Sequence, residues 1–269
     1  MNAIGQWLMQ FEYVQLLQQE WPLYLEGMWT TFWLVALSLF LGLFIAVPAG
    51  IMRNSSQAKW RLPAWAFIYF FRGTPLLIQL FLIYYGAGQF LGGADSWQVT
   101  QVDNPSAWQQ IVLVLQSVWF SLCGYIWHWL QEAWFCALLA FTLNTGAYTA
   151  EIVRGSINTM PVGEIEAAKA FGMNQVKIMS RIILPSAFRR ALPAYSNEVI
   201  FMLHGSALAG VVTIVDLTGA ARIVNSRYYA PFEAFITAGL LYMLMTFVIV
   251  YVFKLWEKRW HKHLKPLQV

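Results

Sequence analysis

Of 269 residues, 59% are apolar and 11% charged, where a water-soluble domain carries about a quarter charged. That balance excludes an ordinary soluble fold and points to the membrane. The net charge of +4 comes from 17 basic residues spread through apolar sequence, which argues against a nucleic-acid partner and reports membrane orientation instead.

Residues 1–23 read as an amphipathic N-terminal segment, and the first basic residue is Arg53. No basic, apolar and small-residue leader pattern is visible, so the first span is expected to act as the insertion signal. Crossing a bilayer takes about 20 mainly apolar residues. Five stretches qualify: 27–52, 63–88, 133–153, 193–215 and 234–253. A sixth, 109–130, is also apolar.

Lysine and arginine decide the orientation, because they accumulate on the cytoplasmic side. Arg53, Lys59 and Arg61 follow the first span; Lys169, Lys177, Arg181, Arg189 and Arg190 follow the third; Lys254, Lys258, Arg259, Lys262 and Lys265 follow the last. Five crossings with the N-terminus outside and the C-terminus in the cytoplasm satisfy all of these. A crossing at 109–130 would put one basic loop on the wrong side. That stretch is rich in tryptophan, which favours the membrane–water boundary, so an external interfacial helix is predicted there. Arg222 and Arg227, in an outer loop, are the exception to the charge rule. Residues 91–107 form the longest polar stretch on the outer side.

Cys123 and Cys136 have neither Cys-x-x-Cys nor histidine partner spacing, so no metal site or disulfide framework is indicated. No phosphate-binding Gly-x-x-x-x-Gly-Lys-Ser/Thr loop, His-Glu-x-x-His helix or Gly-x-Ser-x-Gly elbow occurs. The chain is therefore read as having no catalytic residues.

Between the third and fourth spans, the segment from Pro161 to Asn174 has proline at a helix start and glycine past a helix end, bounding a short helix. Ile165, Ala168 and Phe171 recur about every three residues as a narrow apolar face, and Ala167 and Ala168 allow close approach by a partner. Asn174 is placed to cap a second helix, with Val176, Met179 and Ile183 on one face and an end near Pro185. Gly73-Thr-Pro75 inside the second span predicts a proline kink or local unwinding.

Ionisable groups inside spans are costly and call for a partner or a function. Glu151 and Arg154, three apart, are expected to pair with each other. Glu198, beside Asn197, is either a structural lock with Arg72 or Arg190, or part of a gate. Asn144 and Tyr148 share a helix face with Thr145 adjacent, suited to interhelical hydrogen bonds or to substrate. Ser206 and Asp216 lie toward the outer side. Asp216 is positioned either to attract a cationic substrate at the mouth or to cap the helix that follows.

Glu166-Ala-Ala-Lys-Ala-Phe-Gly172 is followed, nine residues on, by Ile182-Ile-Leu-Pro185. This spacing resembles the cytoplasmic loop through which membrane subunits of ATP-binding-cassette (ABC) importers engage their ATPase. Phe71 to Leu80, Leu143 to Ser156 and Leu192 to Ile200 are similar to polar amino acid importer permeases, nearest those serving histidine, lysine, arginine and ornithine. The chain departs from many members at Leu203-His-Gly-Ser206, where they have a lysine and an aspartate.

The resemblance implies an all-α membrane protein, a type I ABC importer transmembrane domain over 24–257, with a coupling loop at 158–190 and a basic cytoplasmic tail at 258–269. It implies that Glu166, Ala167, Ala168, Phe171 and Gly172 meet the ATPase. The implied setting is a bacterial inner membrane, where a homologous second permease, an ATPase dimer using ATP and magnesium, and a periplasmic amino-acid-binding protein complete the importer. No cofactor is expected on this chain. A glutamine or glutamate importer, and an ATPase-independent channel or secondary transporter, are the alternatives.

Overall fold

The computed structural model describes residues 12–86 and 107–260. The polar stretch 91–107, apart from its last residue, and the tail beyond Trp260 lie outside the described residues. All described secondary structure is helical: α1 (Glu12–Arg53), α2 (Ala58–Gly73), α3 (Leu76–Tyr84), α4 (Ala107–Leu130), α5 (Ala133–Asn158), α6 (Val162–Ala170), α7 (Gln175–Ile178), α8 (Leu184–Gly205), α9 (Leu217–Tyr228) and α10 (Pro231–Trp260). A π-helical turn, Met179–Ile183, joins α7 to α8, and a 3-10 segment, Ser206–Val212, extends α8.

Helices α1, α5 and α10 are each long and apolar enough to cross a bilayer, and the count rises to five if α2 with α3, and α7–α8 with α9, are each one bent span. Helix α4 is not among them. Helix α1 runs unbroken across position 23 despite Pro22 and Pro48, so the N-terminal segment from Glu12 onward continues straight into the first span.

The core is the crossing of α1 with α5. Small residues line both sides: Gly42, Ala46, Ala49 and Gly50 face Gly146, Ala147 and Ala150. A Cβ at Gly50 would stand 2.8 Å from the Ala150 carbonyl oxygen, and one at Gly42 would stand 2.7 Å from Thr145 Cγ2. In a bilayer, helices gain little from hiding apolar surface and adhere by close packing, which small residues at four-residue spacing permit. Leu34, Leu39, Phe141, Val199 and Leu203 complete the cluster that adds α8 to this pair.

Two features of the spans have backbone causes. Of the proline kink or local unwinding expected at Gly73-Thr-Pro75, the structure has the unwinding: α2 and α3 meet at 103°. Thr74 is extended (φ −116°, ψ 143°), as is Pro75 (φ −62°, ψ 137°). A residue before proline is pushed out of the α region and proline itself has no N–H to donate, so the helix ends and restarts in a new direction. The departure from the sequence reading is at Pro185, which does not end the helix begun at Asn174. The Leu184 N–H reaches back five residues to the Met179 carbonyl, and the widened turn carries the chain past the proline into α8.

At the other end of the molecule, Glu20 is 7% exposed and accepts from Arg227 Nη1 at 2.9 and 3.1 Å and from the Tyr228 hydroxyl at 2.9 Å. Arg227, one of the two basic residues that break the charge rule, is thus neutralised by the start of α1.

Candidate functional site

Helix α6 begins after Pro161 and ends at Gly172, whose φ is +71°. The Gly172 N–H bonds the Lys169 carbonyl at 2.9 Å, and the Met173 N–H bonds the Ala168 carbonyl at 3.2 Å. This pair of bonds is a Schellman cap, which needs a left-handed residue at the position after the helix and therefore favours glycine. Asn174 Oδ1 then accepts from the Lys177 N–H at 2.9 Å and starts α7, as its sequence position predicts. Two short helices are thereby held as a rigid knob.

The predicted apolar face divides in two. Ala168 is 4% exposed and packs, with Ile165, against Val153, Ile157, Ile178, Ile183 and Ala187. Phe171 is instead 88% exposed, and Val162 at the start of α6 and Val176 in α7 are also exposed. Val176 therefore does not share the buried face of Ile183, because the π turn between them shifts the helical phase. Glu166, Ala167 and Gly172 are exposed as well. The knob presents Phe171 outward while its inner side is fixed to the end of α5 and the start of α8.

Farther along those two helices, a cavity of about 520 Å³ opens between α5, α8 and the α2–α3 break. Asn144, Tyr148, Asn197 and Glu198 line it, with Thr74 and Phe201. Glu198 is 7% exposed and, among the described residues, forms an ion pair with neither Arg72 nor Arg190. Arg190 reaches the Thr159 carbonyl and Ser186. Arg72 lies over the Tyr148 ring, 5.1 Å from its centroid, a cation–π contact. Glu151 and Arg154 pair with each other, as their spacing predicts. Tyr148 also lines a second cavity of about 450 Å³ with Arg53, Arg72 and Glu151, so the two cavities share this residue.

Three other residues singled out in the sequence do not line the first cavity. Thr145 is buried in the α1–α5 crossing. Ser206 is buried and donates to the Leu203 carbonyl at 2.7 Å. Asp216 is fully buried and caps α9, accepting from the Gly219 N–H at 2.8 Å and from the Tyr242 hydroxyl at 3.2 Å. Its carboxylate therefore does not lie at an open mouth.

Sequence reasoning missed the group that holds the α2–α3 break beside the cavity. Gln79 is 2% exposed and its Nε2 donates to the Phe71 carbonyl at 2.7 Å, the Thr74 carbonyl at 2.9 Å and Thr74 Oγ1 at 2.8 Å. Asn144 Nδ2 donates to Gln79 Oε1 at 3.0 Å and to the Phe71 carbonyl at 3.3 Å. The carbonyls released by the break at Pro75 are thus capped by two amides, one from α3 and one from α5. The available signal was a lone glutamine in an apolar run, four residues after a proline.

A helical domain with several candidate membrane spans, an exposed two-helix knob and a cavity behind it agrees with the fold of a solved amino acid ABC transporter. The chain belongs to the family described as binding-protein-dependent transport system inner membrane component, matched over residues 38–262. It is an inner-membrane ABC amino-acid importer permease subunit. As in that family generally, ATP hydrolysis falls to a separate ATPase subunit and substrate delivery to a binding protein.

Among its relatives, the nopaline transport system permease protein NocM of Agrobacterium fabrum is 40% identical over 88% of this chain and 87% of its own. The histidine/lysine/arginine/ornithine transport system permease protein HisM of Escherichia coli is 40% identical over 89% of this chain and 90% of its own. A crystal structure of an amino acid ABC transporter with histidines superposes with a TM-score of 0.72 at 30% identity, covering 93% of this chain and 99% of that one. The MetNI methionine ABC transporter shares the fold at 18% identity, with a TM-score of 0.66 over 88% of this chain and 96% of that one.

Proposed function

We propose that this subunit carries a basic amino acid (arginine, ornithine, lysine or histidine) and forms the path together with a second, homologous permease. The observation that carries the proposal is Glu198, a buried carboxylate that makes no ion pair among the described residues, set with Asn144, Tyr148 and Asn197 in a cavity whose lining is otherwise mainly apolar. A buried charge is costly unless paired. A cationic side chain entering the cavity supplies the missing partner, while the amides and the phenol offer hydrogen bonds to the rest of an amino acid. The printed names of the nopaline and histidine/lysine/arginine/ornithine permeases support the same class.

Drive enters through α6. Phe171 is the exposed apolar side chain offered to a groove on the ATPase, which binds ATP with magnesium, and this chain holds no cofactor. A push on α6 moves Ala168 and Ile165, hence the packed ends of α5 and α8, the two helices that line the cavity. Alternating access thus becomes a displacement of α5 and α8.

The test is ATP-driven uptake of labelled arginine, lysine, histidine and glutamine by vesicles holding the whole importer. Arginine or lysine uptake is expected, and Glu198→Gln is expected to lower it by roughly tenfold or more, since a buried charge pair with the ligand is lost. Preferential glutamine uptake would overturn the substrate class. Uptake that persists without the ATPase would overturn the coupling.

A further inference from the structure

Where the π turn passes into α8, a separate cavity of about 720 Å³ lies against the C-terminal end of α10. Its lining is amphiphilic: Leu184, Phe188 and Trp260 on the apolar side, and Ser180, Arg189 and Arg259 on the polar side. Neither arginine takes part in an ion pair among the described residues, and no carboxylate lines the cavity; Glu257, close in sequence, is not part of the lining. Two guanidinium groups converging on one cleft repel each other unless an anion lies between them.

We propose that this cleft binds the headgroup of an anionic phospholipid from the cytoplasmic leaflet. The inference lies outside the transport path and uses the proposed function only for which side of the membrane α6 and α7 occupy. Arginine forks match phosphate oxygens bidentately. Tryptophan and phenylalanine at a helix end sit at headgroup depth, and basic clefts between helices on the cytoplasmic side are suited to acidic headgroups. Occupation by the following segment, 261–269, is opposed by charge: it contains His261, Lys262, His263 and Lys265 and no acidic side chain. A bound lipid would join the end of α10 to the π turn, the hinge between the coupling knob and a helix lining the cavity.

Native mass spectrometry of the whole importer, released from nanodiscs of phosphatidylglycerol mixed with phosphatidylcholine, tests the site. Wild type is expected to retain phosphatidylglycerol with a preference of roughly tenfold or more, about what two interfacial arginines supply. Arg189→Gln with Arg259→Gln is expected to abolish most of that preference. Ser180→Trp, which fills the cleft and keeps both charges, is expected to lose it too, while Lys254→Gln on the same helix, outside the lining, keeps it. Equal retention of both lipids by wild type, unchanged preference in either cleft variant, displacement of the lipid by millimolar inorganic phosphate, or retention only when the ATPase subunit is absent would each overturn the proposal. The readout is lipid mass and not transport, so its failure is separate from failure of the substrate assignment.

Discussion

Gly172 shows how one residue sets the coupling element. With φ at +71° and open space around a Cβ, a substitution there meets backbone strain and no clash. A left-handed conformation costs an L-residue about 1–2 kcal/mol, least for asparagine. Gly172→Asn is therefore expected to keep most ATP-driven uptake, and Gly172→Val to lose most of it with the complex still assembled. Equal loss in both would mean that the glycine is needed for contact with the ATPase and not for the cap. Phe171 is the complementary case, exposed in the isolated subunit although apolar, as suits a side chain that a partner covers.

The break between α2 and α3 depends on amides that belong to different elements. Gln79→Leu leaves the Phe71 and Thr74 carbonyls without a main donor, and buried unmet acceptors cost about 1–3 kcal/mol. A lower thermal midpoint for the purified importer is expected, and Asn144→Leu added to it should cost less than it does alone, because both serve one network. The α1–α5 crossing makes a separate prediction. Gly50→Ala forces a methyl toward the Ala150 carbonyl and is expected to destabilise by about 1–3 kcal/mol, whereas Gly239→Ala, with nothing within 4 Å, should be neutral in the same thermal assay.

What the sequence made visible at this scale was local. Spans, caps and the Gly172 turn follow from hydropathy and from residues within a few positions of one another. The Glu151–Arg154 pair is local in the same sense. The Gln79–Asn144 bond joins positions 65 apart, and the Glu20–Arg227 pair joins positions 207 apart, so neither could be read from spacing. Pro185 misled because a proline stops an α-helix but not a helix that has already widened into a π turn. The cavity was half legible: polar residues on α5 and α8 were visible, but Thr145, Ser206 and Asp216 looked equally polar and were turned elsewhere by packing and capping.

At the scale of the molecule, the arrangement rests on which helices cross. Helix α4 is a 24-residue helix carrying Trp108, Trp119 and Trp129, all well exposed. If it lies along the outer interface, Trp108→Cys and Gln131→Cys, each in a chain freed of Cys123 and Cys136, are both labelled by a membrane-impermeant thiol reagent applied to the periplasmic side. A crossing helix would expose only one of them. The same labelling should leave Lys258→Cys untouched until the membrane is opened.

Helix α1 has a further consequence. Its 42 residues make a rod about 63 Å long, roughly twice the thickness of the hydrocarbon layer. A tilt of about 5° about its C-terminal end sweeps the N-terminal end through about 5 Å, on the order of one helical turn. Because the N-terminal part of the rod is clasped to α9 through Glu20 and Arg227, a small rotation at the α5 crossing would carry both helices sideways together.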